Sequence, residues 1–346
     1  MNRKLTEFEQ LLIKKYVGEL KGLKAIGKEI HKDPRTFKHF LTDLGFKIPH
    51  PGSIWRKAKQ HFEGEFYKPI PKHIEEIIIG SLLGDAQIRL QSKTIPHENN
   101  PTEKGYIETL ETVRELREKA KKNQFNKEQD INKWNEAIEL IKSTNTASLR
   151  FHKSILELEW VKALDQLFNP FFSTTSYVKK KTTSNKDDKI KWTCGFDSGS
   201  SIQLFNLWKE WYLPKGEKNI KIIPKSFKFI PSNALLHWFT GDGQFTKKDI
   251  SLFSLCFTLK ENNLLISHLK LLRENCWVKE KRKKYYIRIS SKKKNVSTFL
   301  KYLSKGDLYK LAEKTLPHKF DEKYSRKRWE DDVLTKNPGY LNLIQI

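Results

Sequence analysis

Apolar positions recur along this chain with two periods, and the places where one gives way to the other divide it. Near the start, Phe8, Leu12, Tyr16 and Leu20 share one helical face behind a Thr6-x-x-Glu9 capping box. Gly22 breaks that helix, a second over 23–31 turns Ile26 and Ile30 inward, and Asp33-Pro34 opens a third over 35–44 that Gly45 closes. From residue 73 a longer order begins: helix 73–84, strands 86–90 and 147–152, helix 156–167, strands 173–181 and 189–196, helix 202–211. The same order returns as helix 233–241, strands 244–246 and 250–258, helix 262–273, strands 277–281 and 285–289, helix 296–303. Each copy reads helix–strand–strand–helix–strand–strand–helix, so the chain holds an internal duplication. In the last strand Tyr285, Ile287 and Ile289 alternate with Lys284, Tyr286, Arg288 and Ser290. One sheet face is therefore polar and basic, as an antiparallel sheet covered on one side permits.

These patterns set the expected domains. A helix-turn-helix-like module spans 1–45, a linker with Pro49, Pro51, Pro69 and Pro71 around an anchoring Trp55 spans 46–72, and a tail spans 321–346. The first half runs over 73–215 and the second over 216–320. The fold class is α+β: two pseudo-symmetric αββαββα halves built on antiparallel sheets, plus a small N-terminal three-helix module. The first half also carries an insert, 92–146, whose charged helical stretches over 106–122 and 127–143 are expected to form a solvated helical hairpin. In the N-terminal module, Arg35, Thr36, Lys38, His39 and Thr42 face outward from the third helix, which suits DNA contact; a plain three-helix packing module is the alternative.

Charge narrows the partners. Lys and Arg number 66 against 41 Asp and Glu, a net +25 with a pI near 9.7. So large an excess is the footprint expected of a protein that neutralises phosphates, with a ribosomal-type or membrane-surface protein as the alternative. Hydrophobic residues at 37%, with 9 Trp and 21 Phe, make it a packed protein rather than a basic tail. Cys194, Cys256 and Cys276 form no metal or disulfide spacing, so a reducing compartment is expected. The longest apolar run, 77–83, is too short for a bilayer, and the MNRKLTEFEQ start has no apolar core of a signal peptide and carries acidic residues that transit peptides avoid. We expect an intracellular protein without membrane contact. An organelle (chloroplast or mitochondrion) comes first, given the Lys-, Asn-, Ile- and Phe-rich composition, and bacterial cytoplasm second.

The chemistry is signalled at two helix ends. IIIGSLLGDAQI (77–88) and LLHWFTGDGQF (235–245) are apolar helices that stop at Gly84-Asp85 and Gly241-Asp242. A carboxylate past a helix C-terminus faces the last free carbonyls, a poor place for a lone anion but a good one for a divalent cation. Asp85 and Asp242, with the carbonyls of Gly84 and Gly241, are thus candidate metal ligands. Gly80, Gly84 and Gly241 are small enough to let the two helices touch. One such helix would be ordinary; two in matched surroundings point to a paired site.

With these motifs the chain resembles a monomeric, double-motif LAGLIDADG homing endonuclease. The likeness extends to ASLRFHKSILELEWVKAL, to Lys221-Ile222-Ile223-Pro224 ahead of the second motif, and to a closing LPHKF, covering about 73–320. It implies two halves whose sheets form a saddle on DNA, with one Mg²⁺-binding acid from each motif helix (Mn²⁺ as substitute). On that resemblance Asp85, Asp242, Lys221 and Lys319 are catalytic candidates, with Lys310 of Tyr309-Lys310-Leu311 a rival to Lys319. Gln87 and Gln244, two residues past each acid, are candidates to position water, or simply polar strand starts. The departures are the N-terminal module and His237, which stands where the first motif has Gly80 and is expected to open the helix pair slightly.

The expected activity is site-specific double-strand DNA cleavage by an intron-encoded monomer acting on a long target. The alternatives are an intron-RNA-binding maturase and a transcription regulator. For DNA contact the candidates are Lys179, Lys180, Lys181, Lys189, Lys191, Lys281, Arg282, Lys284 and Arg288 on the hairpins, and Arg35 and Lys38 on the third helix. Tyr286, Thr193 and Gln203 are looser candidates for reading bases.

Overall fold

The computed structural model describes residues 5–48, 69–90, 102–182, 190–215, 218–245, 249–269, 275–290, 292–321 and 324–340. The linker with Trp55, and Lys189, lie outside them, as do the side chains of Lys180, Lys181 and Lys191. The chain separates into two compact units, one from Met1–Lys68 with Ser92–Asn145, the other from Pro69–Gln91 with Thr146–Ile346.

The first unit is helical. Helix α1 (Glu7–Ile13) starts at the Thr6 capping box and runs into a π-helical turn, Lys14–Gly18; α2 (Leu23–Ile30) and α3 (Pro34–Asp43) follow. After α4 (Lys72–Leu83) and β1 (Gln87–Leu90), which belong to the second unit, the chain returns as α5 (Glu103–Lys121) and α6 (Lys127–Ser143). Sequence places this insert in the first half as a solvated hairpin; in the structure it packs on the N-terminal helices. Tyr16 meets Phe46 and Trp134 edge-on at 5.9 and 6.1 Å, and Asn135 donates to the Gly45 carbonyl and accepts from the Lys47 amide. Gly18 fits the join because a Cβ there would lie 3.1 Å from Lys121 Cγ. The buried sides of α5 and α6, among them Leu110, Val113, Ile131, Trp134 and Ile138, thus share one core with Leu12, Tyr16 and Phe46.

The second unit realises the duplication. Its first half continues from α4 and β1 through β2 (Ala147–Ser154), α7 (Leu158–Phe172), β3 (Thr175–Thr182), β4 (Ile190–Asp197) and α8 (Ile202–Trp211). A two-stranded ribbon, β5 (Tyr212–Lys215) and β6 (Lys218–Lys221), leads to the second half. That half is α9 (Ser232–Asp242), β7 (Gly243–Phe245), β8 (Asp249–Phe253), α10 (Leu259–His268), β9 (Cys276–Lys281), β10 (Lys284–Ser290) and α11 (Lys293–Leu303). Helix α12 (Tyr309–Thr315), a 3₁₀ turn at Pro317–Lys319 and α13 (Arg326–Lys336) complete it. The antiparallel sheets are ordered β1-β2-β4-β3 and β7-β8-β10-β9, the same topology twice.

The two motif helices, α4 and α9, pack directly on each other, buried on almost every side among Ile77, Ile78, Leu82, Leu235, Leu236 and Phe239. Their approach depends on Gly80: a Cβ there would sit 2.1 Å from the Ala234 carbonyl oxygen, a distance no side chain tolerates. The expected effect of His237 is corrected here. Its ring does not wedge the pair apart but stacks on Trp160 of α7, 5.3 Å between centroids.

Candidate active site

The abutting helices bring their C-terminal ends together, and with them the two acids. Asp242 is the last residue of α9, and Asp85 follows the Gly84 that ends α4. The carboxyl groups hydrogen-bond to each other. Gly84 lies beside the pair: a Cβ there would be in ordinary contact with Asp242, 3.4 Å from its Oδ2. Burial pushes both carboxyls up. At Asp85 the bond to Asp242 and the charge of Lys153 overcome it and hold the group below the usual range; at Asp242 the neighbouring Asp85 adds to it, and the group rises. The two carboxyls therefore titrate as a coupled pair, one held down and the other pushed up.

Three lysines surround the pair. The β5–β6 ribbon carries Lys221 to the end of α4, where its Nζ donates to the carbonyls of Leu82, Gly84 and Ala86 at 2.6, 3.2 and 3.0 Å. The 3₁₀ turn carries Lys319 to the corresponding place on the second motif, donating to the Gly243 carbonyl at 2.5 Å. Ala86 and Gly243 each follow the acid directly, so the two lysines are related by the pseudo-symmetry of the halves. Lys310, the rival candidate, is exposed on α12. Burial lowers Lys221, and brings Lys319 down to about 8 against the pull of Glu157 and both acids.

Lys153 was not among the expected residues. Its nearly buried side chain ion-pairs with Asp85 and donates to the Gly241 carbonyl at 3.2 Å, so it touches both motifs. Burial would lower it, but Asp85 and Glu157 hold it above the ordinary lysine value. The sequence does carry a signal. On β2 the burial alternates strictly, and Lys153 occupies the inward register after Ala147, Leu149 and Phe151. A lysine on the core-facing side of a strand needs a buried anion. Glu157, also unforeseen, is pushed up by burial, and its Oε2 has no hydrogen-bond partner. The halves are unequal here. Gln87 pairs with Arg150 and Gln244 with Ser251, so three residues further on Lys153 corresponds to Ser254, whose hydroxyl is satisfied by Asn262.

The remaining candidates divide. Gln87 and Gln244 are exposed on their strands, and Gln87 accepts from Arg89 at 3.2 Å. The Gly84 and Gly241 carbonyls already accept from Lys221 and Lys153, which leaves each a single lone pair. Lys179 is exposed over the Tyr177 ring at 3.9 Å, and Lys281, Arg282 and Lys284 are exposed at the β9–β10 tip. Arg288 is instead bound in an ion pair with the buried Asp249. Gln203 is buried on α8. Among the described residues no cluster of three or more His, Cys, Asp or Glu could hold a metal, and no helix is long and apolar enough to cross a membrane.

Comparison with known proteins agrees with this architecture. Residues 136–299 match the LAGLIDADG DNA endonuclease family, a stretch that includes the second motif but not the first. No curated protein matches the chain in sequence. Among solved structures, the homing endonuclease I-WcaI bound to its DNA recognition sequence is similar over 78% of this chain and 95% of its own, with TM-score 0.50 and 17% identity. Residues 136–299 are thus similar to LAGLIDADG DNA endonucleases, and the chain shares the fold of the homing endonuclease I-WcaI.

Proposed function

We propose that this chain is a site-specific DNA endonuclease, acting as a monomer on a long duplex target with a divalent metal, Mg²⁺ or Mn²⁺, held by Asp85 and Asp242. The observation that carries the reading is the hydrogen-bonded acid pair at the ends of two abutting helices, ringed by Lys153, Lys221 and Lys319. The donor set fits a hard cation: two half-buried carboxyls that perturb each other's ionisation would be relieved by a dication held between them. When bound, the ion would supply Lewis acidity to the scissile phosphate and a water acidic enough to attack at neutral pH.

The protein's own groups do the rest. Lys221 and Lys319 each hold positive charge beside one motif, where the phosphorane of one strand would carry its added negative charge. Lys319, at about 8, can also take up or release a proton at its Nζ near neutral pH. Lys153 stays charged and fixes the direction of Asp85. The exposed cations of the hairpins neutralise phosphates along the duplex. An intron-borne gene and an organellar setting belong to the same proposal and rest on the family resemblance and the composition.

The test is Asp85→Asn and Asp242→Asn. Each should lose Mg²⁺-dependent cutting by at least about a hundredfold while DNA binding stays measurable, because the charge removed is needed in the transition state. Mg²⁺-dependent double-strand cleavage surviving in either variant would refute the reading. A maturase or regulator would bind nucleic acid without breaking it whichever residue stood at 85 and 242.

A further inference from the structure

The helical unit takes no part in the proposed cleavage site, and its surface holds a separate arrangement suited to DNA. Helices α2 and α3 are joined by a three-residue turn, His31–Asp33, entered through His31 in the left-handed region at φ 54°. That is the connection of a helix-turn-helix. The join is tight: a Cβ on Gly27 would lie 2.9 Å from the Lys32 carbonyl oxygen and 3.0 Å from Pro34 Cγ. Asp33 caps α3 by accepting from the Arg35 amide at 2.8 Å. Phe37 and Leu41, one turn apart, are fully buried and fix which face α3 turns inward.

The opposite face of α3 presents Arg35, Thr36, Lys38, His39 and Thr42 to solvent, with Phe40 41% exposed beside them. Among the described residues neither Arg35 nor Lys38 enters an ion pair, whereas the one acid of α2, Glu29, is taken by Lys15 and Lys21. Lys24 and Lys28 are exposed on α2. The module is also braced. Helices α5 and α6 form its floor through Trp134, Ile138 and Asn135, so two distant stretches of chain were needed to build it. A packing unit would not need an outward face of unpaired cations and hydrogen-bonding side chains.

We propose that α3 is the recognition helix of a second duplex-DNA site, one that reads base pairs flanking the cleavage target and so lengthens the recognised sequence. It rests on duplex DNA being the chain's substrate, as proposed above, but not on cleavage. Arg35, Lys38 and His39 near the start of α3 would meet base edges in the major groove, and Lys24 and Lys28 the phosphates. Only residues 144–146 separate α6 from β2.

The experiment uses the full chain carrying Asp242→Asn, bound to a pool of duplexes with a long random centre, the retained fraction being sequenced over rounds. It is repeated with Arg35→Gln, Lys38→Gln and His39→Gln added, after circular dichroism shows unchanged helix content. If the triple change disturbs folding, Lys38→Gln alone carries the comparison. The parent should select two blocks of preferred sequence and the variant only one, with affinity for the parental consensus reduced about tenfold or more. Lys24→Gln with Lys28→Gln should weaken binding to all sequences alike and leave both blocks. Identical consensus and affinity in parent and α3 variant would overturn the proposal. So would a single block from the parent, or an α3 variant that loses binding to an RNA hairpin and not to duplex. Failure of the nuclease reading is separable: the chain with both acids would leave the selected duplex uncut in Mg²⁺, while the effect of α3 on the consensus remained.

Discussion

His237 stands five residues ahead of its acid, as Gly80 does in the other motif helix, and the structure treats the two oppositely. Gly80 disappears into the contact with Ala234, while His237 is enclosed against Trp160 with its Nε2 unpartnered. Burial brings the imidazole down to about 3. The group is neutral when folded and charges only on unfolding, so between its unfolded value near 6.5 and about 3 the unfolded chain binds the extra proton. Stability therefore falls as pH drops through that window, by about 1.4 kcal/mol per pH unit from this residue. His237→Phe keeps a ring on Trp160 and removes both the titration and the unpartnered nitrogen. Thermal unfolding at pH 6.5 and pH 5 should show the variant losing about 2 kcal/mol less than wild type over that interval. Equal losses in both proteins would mean that His237 is protonated, or hydrated, in the folded state.

Secondary-structure elements explain what could be read early and what could not. The motif helices were legible because each repeats a local signature, and the hairpins because alternation with period two survives in a sheet covered on one face. Lys153 escaped because its partner is far off in sequence; only its inward register on β2 marks it. The union of α5 and α6 with the N-terminal helices escaped for the same reason, since Tyr16 and Trp134 meet only in three dimensions. Another feature that only the structure exposes is the tip of the β9–β10 hairpin. Its two turn residues, Arg282 and Lys283, have φ of 55° and 61°, a conformation that two-residue hairpins usually give to Asn-Gly. Two large cations in the left-handed region cost about 1–2 kcal/mol each. The turn thus gives up stability to place charge at an exposed tip, as functional sites do. Arg282→Asn with Lys283→Gly should raise the unfolding free energy by about 1 kcal/mol or more and weaken DNA binding. The salt dependence should flatten by about two phosphate contacts. Arg282→Gln with Lys283→Gln should lose the same affinity without the stability gain. If the first variant binds DNA as wild type does, the tip is not a contact.

For the whole molecule, the acid pair supplies only part of the ligand set of the ion it is proposed to hold. Two carboxyls make up the pair, the neighbouring Gly84 and Gly241 carbonyls each keep one lone pair beside a lysine, and no larger acidic or histidine cluster exists among the described residues. A hard cation seeks about six oxygens, so the balance must be water and phosphate. In the free protein a metal must also compete with Lys153 for Asp85, so its binding should be weak. On the proposed function, duplex DNA would supply the missing oxygens. Metal and DNA affinities are then coupled, and the coupling is reciprocal. Titrating Mn²⁺ by electron paramagnetic resonance into free protein, duplex alone, and the complex should show a class of sites at least about tenfold tighter in the complex than in either component. The same ion should tighten DNA binding by the same factor. Sites equally tight in the free protein would mean that the two aspartates hold the ion without DNA, and that DNA only docks onto a centre already complete.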